Sequence, residues 1–199
     1  MASPKPTWTS VKPAIAALDR NGLLGLVKDL FDASPENRNF LIARFKEDDS
    51  EAAIEEYRRR IVEQFFPKRG FGNPKLSVCR KQISDYRKAR GDVAGLAELM
   101  LVYLESGVSY CQEYGYYDES LLWSMGSIAA SLKSHLVTSE GLHVYGRIRD
   151  RIISVNVATR SIAGGNLLGD ELLELEAEFK DWEDDRPEVE EAKKYEPDF

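Results

Sequence analysis

Apolar residues recur at helical spacing along almost the whole chain. Between residues 11 and 179 they fall at i, i+3, i+4 and i+7 positions, and no segment alternates apolar and polar side chains as a half-buried strand does. This pattern predicts an all-α fold, an irregular multi-helix bundle of about eight helices. A repeat-like helical array is the alternative, although no self-similarity of about 34 or 40 residues is present.

Helix-start and helix-stop residues divide the pattern into segments. Ser34, Pro35 and Glu36 combine a capping hydroxyl, a proline suited to the first turn and an acid at the positive end of the helix dipole. Gly115 is typical of a helix C-terminus. The predicted helices begin near Ser10, Asp19, Ser34, Asp49, Leu76, Asp92, Asp118, Ser139 and Asp170.

Length and composition bound the domain organisation. With 199 residues, 43% of them hydrophobic, the chain has material for one sizeable core and not for two. We therefore predict a single helical domain over residues 1–182. Residues 183–199 are acidic and contain Pro187 and Pro197, which predicts a frayed C-terminal tail.

The same composition bears on the compartment. The most apolar run, Leu96–Leu104, contains Glu98 and is too short to span a bilayer. The N-terminal residues lack the apolar region of a signal peptide. Cys79 and Cys111 alone do not make a disulfide framework, so we expect a cytoplasmic protein without a membrane partner.

Several phrases of the sequence are similar to a known group of proteins. They are SPENRNFLIARF (34–45), FFPKRG (65–70), ISDYRKA (83–89), GLAELMLVYLESGVSY (95–110) and EYGYYDE (113–119). Over residues 10–180 the chain resembles an uncharacterised, mainly bacterial all-helical family, a domain of unknown function. The resemblance implies a helical fold and a bacterial origin, and it implies no activity or catalytic residue.

Charge is distributed unevenly along the chain. The net charge is −7, but residues 58–90 hold 11 basic and two acidic side chains, whereas residues 170–199 hold 14 acidic and four basic ones. Arg80, Arg87 and Lys88 are seven and eight residues apart, which predicts one shared helix face. The candidate binding residues of this basic segment are Arg58, Arg59, Lys68, Arg69, Arg80, Arg87 and Lys88.

Three interpretations of the basic segment stay open. It is a solvated face, or it binds an acidic protein partner or the chain's own acidic tail, or it binds a nucleic acid backbone. In the last case Tyr57, Phe71 and Tyr86 would stack on bases. The overall pI of about 5.1 argues against a dedicated nucleic-acid binder. The tail itself is a solubilising terminus, a screen for the basic helices, or a mimic of nucleic acid.

No catalytic motif emerges from the chemistry-bearing residues. His135 and His143 with Glu140 are the minimum for a metal site, but their spacing matches no metal-binding motif, so we predict no metal and no cofactor. Cys79 and Cys111 lie on apolar helix faces and are predicted to be inert core residues.

Two further groups are predicted to be structural. Glu98 and Glu105 are expected to form an ion-pair network with Arg147 or Arg151 at a helix–helix contact, in preference to acid–base catalysis. Tyr103, Tyr110 and Tyr114 are expected to fill the core with their hydroxyls at its edge, a ligand pocket being the alternative. The glycines at 164–169 end a helix, because the segment lacks the lysine of a phosphate-binding loop.

These observations predict a non-enzymatic helical protein-interaction module with an unidentified protein partner. The alternative is a nucleic-acid-binding accessory protein that uses residues 58–90, screened by the acidic tail. The sequence leaves the oligomeric state open.

Overall fold

A computed structural model describes residues 7–46, 50–115, 118–162 and 165–184. Within these segments the chain forms nine α-helices and no strand, which confirms the predicted all-helical class. The helices are α1 (Trp8–Ala16), α2 (Arg20–Ala33), α3 (Pro35–Phe45), α4 (Ser50–Phe65), α5 (Leu76–Ala89), α6 (Val93–Tyr114), α7 (Glu119–Leu136), α8 (Ser139–Thr159) and α9 (Asn166–Asp184).

Most helices begin where the capping residues predict. The side chains of Asp19, Ser34, Asp92 and Asp118 each accept a hydrogen bond from the backbone N–H three residues later. Gly115 ends α6 in the left-handed conformation, with a φ of 59°.

Two predicted starts are wrong by a few residues. The first helix begins at Trp8, with Thr7 as its N-cap. Ser10 is the third helical residue, and its hydroxyl accepts a hydrogen bond from the Thr7 backbone N–H in a capping box. The last helix begins at Asn166 instead of Asp170, so part of the glycine-containing segment is helical. The predicted tail, apart from the end of α9, lies outside the described residues.

The chain divides into two compact units, residues 1–53 and residues 54–199. In the first unit, α2 and α3 pack together as a helical hairpin. Ala43 is the sole buried side chain on α1, α2 and α3. This unit therefore has almost no core of its own.

The second unit is a bundle built around α6. This helix packs against α5, α7 and α8, and α9 covers α7 and α8. Residues on all sides of α6 are buried, as its continuous apolar composition predicts. The edge-to-face pairs Tyr57–Tyr86 and Phe65–Tyr103 fix the buried face of α4 against α5 and α6.

Gly95 sets the approach of α5 to the start of α6. A Cβ atom at this position would lie 2.1 Å from the Tyr86 hydroxyl oxygen, which no side chain tolerates. The hydroxyl donates a hydrogen bond of 2.6 Å to Asp92, the residue that caps α6. The glycine thus allows one tyrosine to reach the helix N-terminus through the core.

No helix in the described part of the chain is both long and apolar enough to cross a membrane.

Candidate functional site

The arginines of α4 are already engaged by acids. Arg59 forms ion pairs of 2.7 Å with both Glu56 and Glu63, and Arg58 pairs with Glu55 and Glu98. The hydrogen bonds that Arg59 donates to the two carboxylates raise its pKa. Burial alone would raise the pKa of Glu56, but hydrogen bonds from its arginine partners outweigh burial and lower that pKa. Two of the seven candidate residues are therefore largely neutralised within α4.

A groove lies between α7 and the end of α5; Arg87 lines it, and Arg80, two turns earlier on α5, binds Ser127 of its wall. The Arg80 guanidinium donates hydrogen bonds to the hydroxyls of Ser124, at 3.3 Å, and Ser127, at 3.0 Å. The groove has a volume of about 490 Å³. The residues that line it are Arg87 from α5 and Ser127, Ala130, Ser131, Ser134 and His135 from α7. We call this concavity the basic groove.

The helical register of α5 explains the groove. Cys79, Ile83 and Tyr86 are buried. Arg80 and Arg87 each follow a buried residue by one position, so both lie along the edge of the buried face, two turns apart. Lys88 is exposed and does not line the groove, although the sequence predicts that it shares a face with them.

The basic groove has polar walls, and the nearby carboxylates of Glu140 and Asp92 act on His135 from outside the lining. No carboxylate is present among the described residues that line it. Ser131 and Ser134 donate their hydroxyl hydrogens to backbone carbonyls one turn earlier, so their oxygens are held in fixed positions. The Ser127 oxygen accepts a hydrogen bond from Arg80 and keeps its own hydrogen to donate.

His135 forms one end of this wall. Its Nε2 atom is buried and has no hydrogen-bond partner. Burial lowers its pKa, a hydrogen bond with the Val93 backbone opposes that change, and the neighbouring Arg87 cation lowers the pKa further. The imidazole is therefore neutral at pH 7, and among the described lining residues the positive charge comes from Arg87.

Lys68 and Arg69 are distant in the fold from the Arg87 end of the groove. Both are exposed in the loop that precedes α5, whereas Arg87 lies near the end of that helix. A helix of this length separates its two ends by about 20 Å. The structure therefore places the seven candidate residues in three locations: on α4, in the loop, and along α5.

The aromatic residues considered for base stacking separate in the same way. Tyr57 and Tyr86 are buried against one another with ring centroids 5.4 Å apart, so neither presents a face to a ligand. Phe71 is 86% exposed in the loop before α5.

The predicted ion-pair network between helices is confirmed, with Arg151 as its cation. The Arg151 guanidinium donates to both carboxylate oxygens of Glu105, at 2.8 Å each, and to those of Glu98, at 2.6 and 3.3 Å. Arg58 of α4 lies 3.3 Å from Glu98. The pKa of Arg151 is raised, chiefly by the hydrogen bonds that it donates to Glu105 and Glu98. We call these four residues the charge cluster.

The cysteines, Tyr103 and Tyr110 are buried as the sequence predicts, whereas Tyr114 is 36% exposed and does not fill the core. Cys79 and Cys111 are buried free thiols, and burial raises their pKa values to about 12 and about 11, so neither is a nucleophile at neutral pH. Tyr103 is buried with its hydroxyl 2.7 Å from that of Ser124, and Tyr110 donates to the Gly72 carbonyl. No group of three potential metal ligands is found in the described segments.

A second surface was not anticipated as such. Large apolar side chains remain exposed on α1–α3 and at Leu18 between α1 and α2, although helical spacing predicts a buried face. They are Trp8, Val11, Leu18, Leu23, Leu24, Val27, Leu30, Phe40 and Phe45. Periodicity identifies such a face but does not indicate what covers it. We call this set the apolar face.

In comparisons with known proteins, no family, no curated protein and no solved structure matches the chain. The resemblance described above thus stays a prediction, and the functional argument depends on the geometry alone.

Proposed function

We propose that the chain is a protein-interaction module and that its basic groove receives an acidic segment of a partner protein. The observation that supports this proposal is Arg87 on a serine-lined groove, with Arg80 bound to Ser127 of the same wall and no carboxylate among the described lining residues. Arginine supplies planar, charge-assisted hydrogen bonds that suit aspartate and glutamate side chains.

The groove has the local chemistry for such a ligand. Arg80 is already held in place by Ser124 and Ser127, so it loses little side-chain freedom when an anion binds. The Ser127 hydroxyl supplies an additional donor beside it. An acidic segment of the partner that lies parallel to α5 would therefore contact the fixed Arg80 guanidinium at one end and the Arg87 guanidinium two turns later.

Shape favours a peptide segment over a small molecule. The groove follows α7 from Ser127 to His135, with Arg87 of α5 on its other side, and it is open to solvent. Small-molecule sites enclose most of the ligand surface, whereas grooves between helices accept extended or helical segments. No step of this proposal requires catalysis.

The nucleic-acid alternative has weaker support. Lys68 and Arg69 are exposed cations with no ion pair in the described part of the chain, which favours it. Against it, the α4 arginines are paired with acids and two of the three candidate stacking residues are buried. A phosphate backbone would therefore find separated contacts instead of a continuous basic track.

The test is fluorescence anisotropy with the full chain at low and physiological ionic strength. The probes are a fluorescein-labelled glutamate-rich peptide, a labelled single-stranded RNA and a labelled DNA duplex. The test variant carries Arg80→Ala, Arg87→Ala and Lys88→Ala. The matched control removes three exposed arginines elsewhere in the same unit: Arg147→Ala, Arg149→Ala and Arg160→Ala.

The proposal expects the test variant to weaken peptide binding by about tenfold or more, equivalent to about 1.4 kcal/mol, at unchanged melting temperature. The control should bind the peptide as the wild type does. Equal loss in both variants, or no peptide binding by the wild type, contradicts the proposal. RNA or DNA binding that falls steeply with salt, with no peptide binding, supports the alternative instead.

A further inference from the structure

Trp123 extends the α7 wall of the basic groove by one turn. It precedes Ser127 by four residues, and residues with this spacing share one face of a helix. Ser127 lines the groove and accepts a hydrogen bond of 3.0 Å from Arg80. The indole therefore lies on the same stripe of α7 as the serines of the groove, next to its Arg80 end.

The Trp123 side chain is 61% exposed, although the other large apolar residues of α7 are buried. Ser120 and Ser127, three and four residues away on the exposed side of the helix, are too short to cover an indole. Tryptophan is enriched among the residues that dominate binding energies, because its ring buries a large apolar area at one position. The exposed ring thus offers a contact surface for an apolar side chain of a ligand.

Carboxylates limit the basic groove at both of its ends. About one turn before the indole, the exposed Asp118 and Glu119 stand at the start of α7. At the other end, the nearby carboxylates of Asp92 and Glu140 act on His135. An acidic ligand is therefore attracted along the groove and repelled beyond each end. The ligand residue that reaches the indole, next to the first pair of carboxylates, must accordingly be uncharged.

Helix geometry gives the spacing of the ligand residues. Trp123 and Ser127 are separated by about 6 Å along α7, and Arg80 and Arg87 by about 10 Å along α5. An extended peptide advances about 3.3 Å per residue. A ligand carboxylate on Arg80 would therefore have one neighbour two residues away at the indole. A second carboxylate, three residues away in the opposite direction, would reach Arg87.

We propose that Trp123 is the specificity-determining residue of the basic groove, and that the partner segment carries a large apolar side chain two residues from the acid that binds Arg80. This inference rests on the proposed function, because it concerns the same groove. Arg80 and Arg87 attract acidic segments in general, whereas the indole distinguishes a segment that ends in an apolar residue from one that is acidic throughout.

The test uses competition with the labelled glutamate-rich peptide in fluorescence anisotropy. The competitors are four unlabelled peptides, LAEEEE and EEEEAL, which cover both chain directions, and their alanine counterparts AAEEEE and EEEEAA. They are measured on the full chain and on the variant Trp123→Ala. The matched control is Trp8→Ala, which removes a tryptophan that is 64% exposed in the other unit.

The wild type should bind one leucine peptide about tenfold more tightly than its alanine counterpart, the effect of one well-packed interface side chain. Trp123→Ala should abolish this difference and leave the affinity for the alanine peptides unchanged, since the cycle isolates the contact between indole and leucine. Trp8→Ala should preserve the difference.

The outcomes separate this inference from the proposed function. Equal affinity of the wild type for leucine and alanine peptides overturns the inference and leaves the proposed function standing, and this comparison needs no substitution. Binding of no peptide contradicts both. Equal loss of affinity for all four peptides in Trp123→Ala overturns the inference, because a general effect of the substitution would then explain the result.

Trp123 fluorescence gives a second, independent measurement. In a chain that carries Trp8→Phe and Trp182→Phe, Trp123 is the one remaining tryptophan. The favoured leucine peptide should shift its emission to shorter wavelength, because the apolar side chain displaces water from the indole. The alanine counterpart, at equal occupancy, should leave the emission unchanged. An emission spectrum that does not change when the leucine peptide is bound overturns the inference.

Discussion

The charge cluster allows one substitution to be followed from geometry to a measurable effect. Arg151→Met keeps a side chain of similar length on α8 but removes the cation that Glu98 and Glu105 share. Four hydrogen bonds are lost at once. Arg58 remains 3.3 Å from Glu98, so one carboxylate keeps a partial partner and Glu105 keeps none in the cluster.

The size of the effect follows from how much water reaches the cluster. The Glu98 side chain is 19% exposed and the Arg151 side chain is 38% exposed, which lies between a surface pair and a buried one. Surface ion pairs contribute about 0–1 kcal/mol, and removing one partner of a buried pair costs about 3–5 kcal/mol. We expect Arg151→Met to lower the free energy of unfolding by about 2 kcal/mol, the intermediate value.

The assay is urea denaturation, with thermal unfolding as a second measurement. For a chain of this size the expected loss corresponds to a melting temperature about 4–8 °C lower. The control is Arg147→Met, one turn earlier on α8 and exposed, which should change stability by less than about 0.5 kcal/mol. Adding Glu98→Gln and Glu105→Gln to Arg151→Met should restore part of the loss, because no unpaired carboxylate then remains. Equal stability of the Arg151 and Arg147 variants would refute the reasoning.

Two further predictions follow from backbone and cap geometry. Gly95→Ala should destabilise the chain by about 1–3 kcal/mol, because its Cβ would overlap the Tyr86 hydroxyl, whereas Gly146→Ala, with nothing within 4 Å, should stabilise it by about 0.5–1 kcal/mol in urea denaturation. If both substitutions changed the free energy of unfolding in the same direction, this prediction would be wrong. Asp118→Ala should cost about 1 kcal/mol at pH 7, because its carboxylate caps α7. Hydrogen bonds from Ser120 and Leu121 lower the pKa of Asp118, so the charged form stabilises the folded state, and its contribution is lost as the pH falls through that lowered pKa. The difference between Asp118→Ala and the wild type should therefore shrink when urea curves are repeated at successively lower pH below the ordinary aspartate pKa, and a constant difference would show that charge has no part in the cap.

Local chemistry was sufficient to predict the helices. The caps at Asp19, Ser34 and Asp92 follow from residue type and from the onset of the apolar pattern within one turn. The neutralisation of the α4 arginines also had a local signal. Glu55 and Glu56 stand three or four residues before them, the spacing at which helical ion pairs form. Glu55 and Glu56 lie just before residue 58, so they are not part of the basic segment 58–90 as the sequence analysis defines it.

The tertiary partners of the charged residues had no such signal. Arg147 and Arg151 are one turn apart on the same helix face, so the pattern allowed either to meet Glu98 and Glu105, and packing selected Arg151. Arg80 binds serines 44 and 47 positions away. Serines on a helix are common, and nothing in their spacing identifies the arginine that reaches them.

The central position of α6 has a consequence for synthesis. This helix is buried on all sides, yet two of the helices that cover it, α7 and α8, follow it in the chain. After α6 is complete, about 45 further residues must be added before α8 is finished, which takes roughly 2–9 seconds at ordinary translation rates. During that interval the most apolar helix of the nascent chain lacks two of the helices that bury it in the finished bundle.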